Sequence, residues 1–274
     1  MAQTKLDQND KKEVRRRTAP RAAIVYETIR REGEDELDRT TAALIYSGLA
    51  AGLSMGFSFL GEALLQAHLP EAPWRPLISK AGYSLGFLIV ILGRQQLFTE
   101  NTLTPILQLL DRLDVKTLMQ VLRLWLIVLG TNVVGGFLFA WSLVSVDFFE
   151  PEVNQALRTI GLHASGNEFW DTLMRGIFAG WLIALMVWLL PFAETARVAV
   201  IIIITYLVGL GGFSHVVAGS IENAYVVLLG EVDWTMFVGT FFMPTLIGNI
   251  IGGVTLVAVI NYAQVVSDKN EIDL

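Results

Sequence analysis

The chain has 274 residues, of which 53% are hydrophobic and only 17% charged, and its mean hydropathy is +0.53. A soluble domain carries about a quarter charged residues, so the composition excludes an ordinary water-soluble protein, and no nucleic-acid partner is expected. With no cysteine, disulfides, thiolate nucleophiles and thiolate metal sites are also excluded.

The formal net charge of −6 hides an asymmetry, because residues 1–39 hold ten of the twenty Lys and Arg. Residues 1–40 therefore read as a basic cytoplasmic segment. Its first 20 residues are polar and are expected to be disordered. No short apolar stretch followed by a cleavage site is present, so no signal peptide is expected. Residues 22–38, AAIVYETIRREGEDELD, predict a short amphipathic helix on the membrane surface.

Apolar runs follow near 44–66, 121–145, 170–192, 198–229 and 236–264, with an interrupted run at 82–110. A bilayer core needs roughly 20 apolar residues per helix, so residues 41–265 are read as a six-span transmembrane domain. Arg112, Lys116 and Arg123 follow the second span, whereas the loop at 146–171 sets Asp147, Glu150, Glu152, Glu168 and Asp171 against Arg158. That bias puts both termini, including the tail 266–274, in the cytoplasm of a multi-pass inner (plasma) membrane protein. Trp74, Trp141, Trp170, Trp234, Tyr83 and Tyr262 fall near span ends and read as interfacial anchors.

The interruption reads GRQQLFTENT at 93–102, a polar stretch where hydrocarbon is expected. A repeat accounts for it. TNVVGG at 131–136 and GNIIGG at 248–253 lie 117 residues apart, and the same offset carries 93–102 onto LGGFSHVVAG, the other glycine-rich interruption. Two halves of three spans each are predicted, and because three is odd the second half is inverted. Inverted repeats with a broken helix in each half place the functional site at mid-membrane, since non-helical backbone survives at that depth only when buried in protein or lining a cavity. The half-helices after each break would present amide N–H groups to the pathway and favour an anion. Gly135, Gly136, Gly252 and Gly253 read as close-packing residues. Asn132 and Asn249 are candidates either for the pathway or for supporting the broken-helix backbone.

LFTENT at 97–102, RGIFAGWLIALMVW at 175–188, GFSHVVAGSIEN at 212–223 and TLIGNIIGG at 245–253 resemble the formate/nitrite transporter family, and the chain is most similar to its YfdC-like branch. The resemblance implies an aquaporin-like protomer of a homopentamer, with one pore per subunit. It implies passage of a small monovalent weak-acid anion, assisted by a mid-membrane histidine that relays or lends a proton. Onto the family's first break map Thr99 and the apolar constriction of Phe98 and Leu97; onto the second maps His215. Ser214 stands where family members commonly have a glutamate. The family's outer-vestibule lysine would fall near Ala164 or Ser165, where this sequence has no lysine.

Each candidate has a plainer reading. His215 would otherwise be a buried neutral histidine stabilising the break. Arg94 reads as an ion pair with Glu100, as an anion-attracting charge in place of the missing lysine, or as a contact between subunits with Glu62, Glu222 or Asp171 as partner. Thr99 and Ser214 are hydroxyl donors for a substrate oxygen, and Thr99 also reads as the cap of a half-helix starting at Glu100. Phe98 and Leu97 read as hydrophobic gates or as ordinary packing. Glu222, two helical turns past His215, lies on the same face. Two further classes of function stay open: a pore for a small neutral solute, and a non-conducting membrane scaffold on the same fold. No nucleophile–base pair, metal set or cofactor motif is present, so no enzyme, metal or cofactor is expected.

Overall fold

The computed structural model describes residues 7–8, 21–146 and 149–272, the last five as backbone alone. Most of the basic stretch of residues 1–20, and Asp147, lie outside the described residues. Helix α1 spans Ala22–Leu37 and α2 spans Thr41–His68, capped by Thr40 Oγ1, which accepts from the Ala43 amide at 3.3 Å. Helix α3 spans Arg75–Leu92 with one 3-10 turn at Lys80–Tyr83. After a break comes α4, Thr104–Arg112, whose first turn contains Pro105. A missing amide proton costs nothing there. Leu113 at φ 48° ends α4, and Asp114 caps α5, Val115–Ser145, by accepting from Thr117 N at 3.0 Å.

In the second half α6 spans Pro151–Ser165 and α7 spans Phe169–Phe192. A second break separates α8, Arg197–Leu210, from α9, Val216–Leu228. Helix α10 spans Trp234–Ser267 and carries π-helical stretches at Phe237–Phe242 and Ile251–Val259. The expected apolar runs all fall on helices. Among the described residues, five helices (α2, α3, α5, α7 and α10) are long and apolar enough to cross a membrane; the run at 198–229 is divided into α8 and α9, each too short alone.

Helix α2 packs along α5 and α7 along α10, so each half sets an unbroken pair beside a broken helix. Glycines permit the approach. A Cβ at Gly52 would meet the carbonyl oxygen of Asn132, and a Cβ at Gly180 that of Asn249. Gly135 meets the backbone of α2 at Leu49, and Gly252 that of α7 at Ile177, in line with their expected packing role.

Two peripheral expectations need correction. Helix α1 forms over the predicted residues, but its apolar face does not lie free for a membrane surface. Tyr26, Ile29, Gly33 and Leu37 are buried against the protein, chiefly against α4. Gly33 touches the Thr104 carbonyl, too closely for a Cβ. Helix α6 was not expected; it packs Val153, Ala156, Leu157 and Ile160 inward against α9 and α2.

Candidate functional site: two helix breaks between two cavities

The two breaks begin with the same backbone turn. At the end of α3, Gly93 N donates to Ile89 O (2.8 Å), Arg94 N to Ile91 O (3.3 Å) and Gln95 N to Val90 O (3.0 Å). At the end of α8, Gly211 N donates to Leu207 O (2.9 Å), Gly212 N to Gly209 O (3.2 Å) and Phe213 N to Val208 O (3.0 Å). Arg94 at φ 54° and Gly212 at φ 60° are the left-handed residues that turn the chain out of each helix. The offset between these positions is 118, one more than between the asparagines.

Those asparagines then hold the chain beyond each turn. Asn132 Nδ2 donates to the Gln96 and Gly48 carbonyls (2.9 and 2.8 Å), and its Oδ1 accepts from Phe98 N at 2.9 Å. Asn249 Nδ2 donates to the Ser214 and Gly176 carbonyls (2.9 and 2.8 Å), and its Oδ1 accepts from Val216 N at 2.9 Å. Unpaired peptide groups at this depth would cost on the order of several kcal/mol each, and one carboxamide per half removes that cost. Both asparagines are fully buried and line neither cavity described below. Of the two readings open for them, pathway and backbone support, these contacts are those of backbone support.

Past that shared scaffold the breaks diverge. Leu97 and His215 occupy equivalent positions, and both are buried. His215 Nδ1 accepts from Ala218 N at 3.2 Å and so caps α9, while Nε2 lies 2.7 Å from Thr99 Oγ1. A nitrogen that accepts carries no proton, so in the neutral ring Nε2–H donates to Thr99. The Phe87 ring meets the imidazole edge-on, with centroids 5.0 Å apart. Thr99 does not cap a helix: residues 97–103 form turns, and α4 starts only at Thr104. Phe98 packs edge-on against Trp125, which donates to the Asn101 carbonyl at 2.8 Å.

A cavity of about 560 Å³ lies on one side of the His215–Thr99 contact, lined among others by Glu62, Lys80, His163, Arg175, Ser214, His215 and Glu222. Glu222 and His215 therefore share a cavity. Lys80 occupies the same cavity as Ala164, so the lysine missing near residue 164 has a spatial counterpart from α3 that linear distance conceals. Lys80 Nζ pairs with Glu62 Oε1 at 2.5 Å. Arg175 donates to the Gly212 carbonyl at 3.0 Å. Burial, together with the Lys80 and Arg175 charges, pushes His163 below the usual histidine value. Tyr83, expected as an interfacial anchor, is instead buried and lines this cavity.

A second cavity of about 300 Å³ opens at the other end of the bundle, lined by residues including Glu32, Glu36, Arg94, Gln96, Glu100 and Arg197. Arg94 does not pair with Glu100. It points outward at 73% side-chain exposure and meets Glu32 of α1 at 3.7 Å. Helix α1 supplies a further carboxylate, which sequence reasoning missed. Glu36 accepts from Gln96 Nε2 (3.3 Å), Asn101 Nδ2 (3.1 Å) and Thr104 Oγ1. Burial outweighs these donors and holds its carboxyl above the usual glutamate range.

Two broken helices whose turns meet between cavities at opposite ends of a helical bundle describe a membrane channel or transporter. The family model for formate/nitrite transporters matches residues 23–263, and this chain belongs to that family, which is one of transporters rather than enzymes. It is 40% identical over 254 residues to inner membrane protein YfdC of Escherichia coli (strain K12), covering 93% of this chain and 82% of that protein. It is 28% identical to the formate channel BtFdhC of Bacillus thuringiensis, covering 87% and 93% of the two chains. A solved pentameric formate channel with formate bound superposes with a TM-score of 0.69 at 18% identity, covering 82% of this chain and 98% of that one.

Proposed function

We propose that the protein is a channel or transporter for a small monovalent weak-acid anion such as formate or nitrite, built as a six-span, aquaporin-like protomer of inverted repeats in a homopentamer. In this reading residues 41–265 form the pore domain in the inner membrane, and residues 1–40 and 266–274 lie in the cytoplasm. The fold likeness to a pentameric formate channel supports the assembly and the class of cargo. The reading rests chiefly on the His215–Thr99 contact, which joins the two breaks at the edge of the larger cavity.

The physics of that contact sets the mechanism. A bare anion is expensive at mid-membrane, and its neutral acid far less so. Lys80 and Arg175 attract the anion into the outer cavity, and Ser214 lines its approach. Phe87, Phe98 and Leu97 break the water column. Thr99 accepts from His215 and keeps its own hydroxyl proton for a substrate oxygen. His215 acts as a neutral donor held in one tautomer, because adding a proton to Nδ1 would set it against the Ala218 amide it now caps. Glu100 and Arg94 belong to the inner mouth, and Asn132 and Asn249 hold the breaks in shape.

Rapid mixing of proteoliposomes with formate, nitrite, glycerol or urea, at about pH 5 and about pH 8, tests this reading by light scattering. Fast swelling with an anion, faster at the lower pH and lost in His215→Phe, is expected. Swelling with glycerol or urea at both pH values would move the protein to the neutral-solute class. Swelling with none of them would leave a non-conducting scaffold.

A further inference from the structure

The outer cavity holds ionisable groups that the pore mechanism does not use. Glu62 sits inside the apolar helix α2 at 1% exposure, with Lys80 on one carboxylate oxygen and no hydrogen-bond partner on the other. Glu222 projects into the same cavity from α9, two turns beyond His215, and its carboxyl makes no hydrogen bond among the described residues. Glu62 and Lys80 both act on it electrostatically. The remaining ionisable groups around this space are Glu71 and Arg75, which pair with each other at 3.8 Å, Tyr83 from α3, His163 from α6, Arg175 from α7 and His215 itself. Arg175 is turned to the Gly212 carbonyl and forms no ion pair among the described residues. The charges that act on Glu222 are thus one carboxylate, Glu62, and one ammonium, Lys80, so that this cluster sets two carboxyl groups against one ammonium.

We propose that Glu62, Lys80 and Glu222 form a proton-exchange site, at which Glu222 protonates the incoming anion before it reaches His215. This rests on the weak-acid reading above. Like charges sharing a confined site do not ionise together readily. Charge balance is met by one carboxylate, Glu62, paired with Lys80, and one carboxylic acid, Glu222. Lys80 draws the anion A⁻ to the cluster. The O–H bond of Glu222 then breaks as the O–H bond of HA forms, leaving the Glu222 carboxylate, and a hydronium ion from the solution outside reprotonates it through the water of the outer cavity, leaving water. His215 cannot supply that proton while Nδ1 caps α9 and Nε2–H is committed to Thr99. The neutral acid is the species that passes the Phe87, His215 and Thr99 constriction.

Two measurements on the purified full-length protein test this. In the infrared difference spectrum of wild type minus Glu222→Gln at neutral pH, where the carboxyls common to both, Glu36 among them, cancel, a protonated-carboxyl C=O band should remain, whether or not formate is a substrate. Absence of that band would overturn the proposal. In proteoliposomes, formate uptake with internal acidification should fall roughly a hundredfold in Glu222→Gln and recover in part in Glu222→Asp. Unchanged uptake in Glu222→Gln would also overturn it. If wild type shows the band but no formate flux, the choice of formate-like cargo fails and the protonated site stands. Glu222→Gln is nearly isosteric and removes no hydrogen bond, and size-exclusion elution alongside wild type checks that it folds.

Discussion

The first and second breaks solve one problem with the same backbone and then do different work. Each leaves its helix through a left-handed residue, Arg94 or Gly212, and each ties its next carbonyl and a following amide to one asparagine. Beyond that point the first break runs through turns to Thr104 and meets α1 through Gln96, Asn101 and Thr104. The second starts α9 at once, with His215 as its cap. The comparison teaches that the backbone support recurs, whereas the side chains on which the proposed mechanism rests have no counterpart: Leu97 stands where His215 stands in the other break.

Breaking the shared part should have the largest effect. Asn132→Leu or Asn249→Leu leaves one amide and one carbonyl of buried non-helical backbone unpaired and removes a second hydrogen bond from a helical carbonyl. The loss expected is about 2–6 kcal/mol, from roughly 1–3 kcal/mol per orphaned group. Thermal unfolding in detergent should register it equally for both variants. A large effect at only one of them would deny that the two halves share a support.

Making the second break resemble the first is the next step. His215→Leu removes the α9 cap and the Thr99 contact, costing about 1–2 kcal/mol and abolishing anion flux. His215→Asn restores a good capping residue but is too short to reach Thr99. Its unfolding temperature should recover while flux in the swelling assay stays lost. Recovery of flux with the cap alone would show that the imidazole serves only structure.

A third prediction concerns the contact that the second break lacks. Burial holds the Glu36 carboxyl above its usual range, so the docking of α1 on the first break is fully present below that range. It weakens as the pH rises through the raised value. Hydrogen exchange of the α1 amides should therefore be slower at about pH 5 than at about pH 8, after correction for the intrinsic rate, and Glu36→Gln should remove the difference. Exchange in α9 should not follow this dependence.

The smallest effect is expected where the breaks differ by a single conformational strain. Arg94→Gly supplies the residue that Gly212 already provides, relieving about 1 kcal/mol of left-handed strain. Loss of an exposed ion pair with Glu32, worth about 0–1 kcal/mol, and the greater freedom of glycine in the unfolded chain offset much of it. The unfolding temperature should move by no more than a few degrees.

Much of this was present in the linear chain. Hydrophobic runs and their two polar interruptions marked every long helix, because each apolar run must be a helix in hydrocarbon. The recurrence of Asn-x-x-Gly-Gly marked the duplication. His215 could be singled out because an ionisable residue inside an apolar run rarely stands there without cause. These features depend only on local composition and period, which the sequence by itself determined.

What only the tertiary structure decided are the pairings across long stretches of chain. Arg94 meets Glu32 rather than Glu100, a pairing that spacing does not reveal. Lys80 enters the cavity of Ala164, and Glu36 reaches the first break from a helix that reads as a membrane-surface segment. Asn132 and Asn249 turn to backbone because buried peptide groups need partners more than a pathway needs amides. Charged side chains are long and their partners lie far along the chain, so which of them meet is settled only when the helices pack.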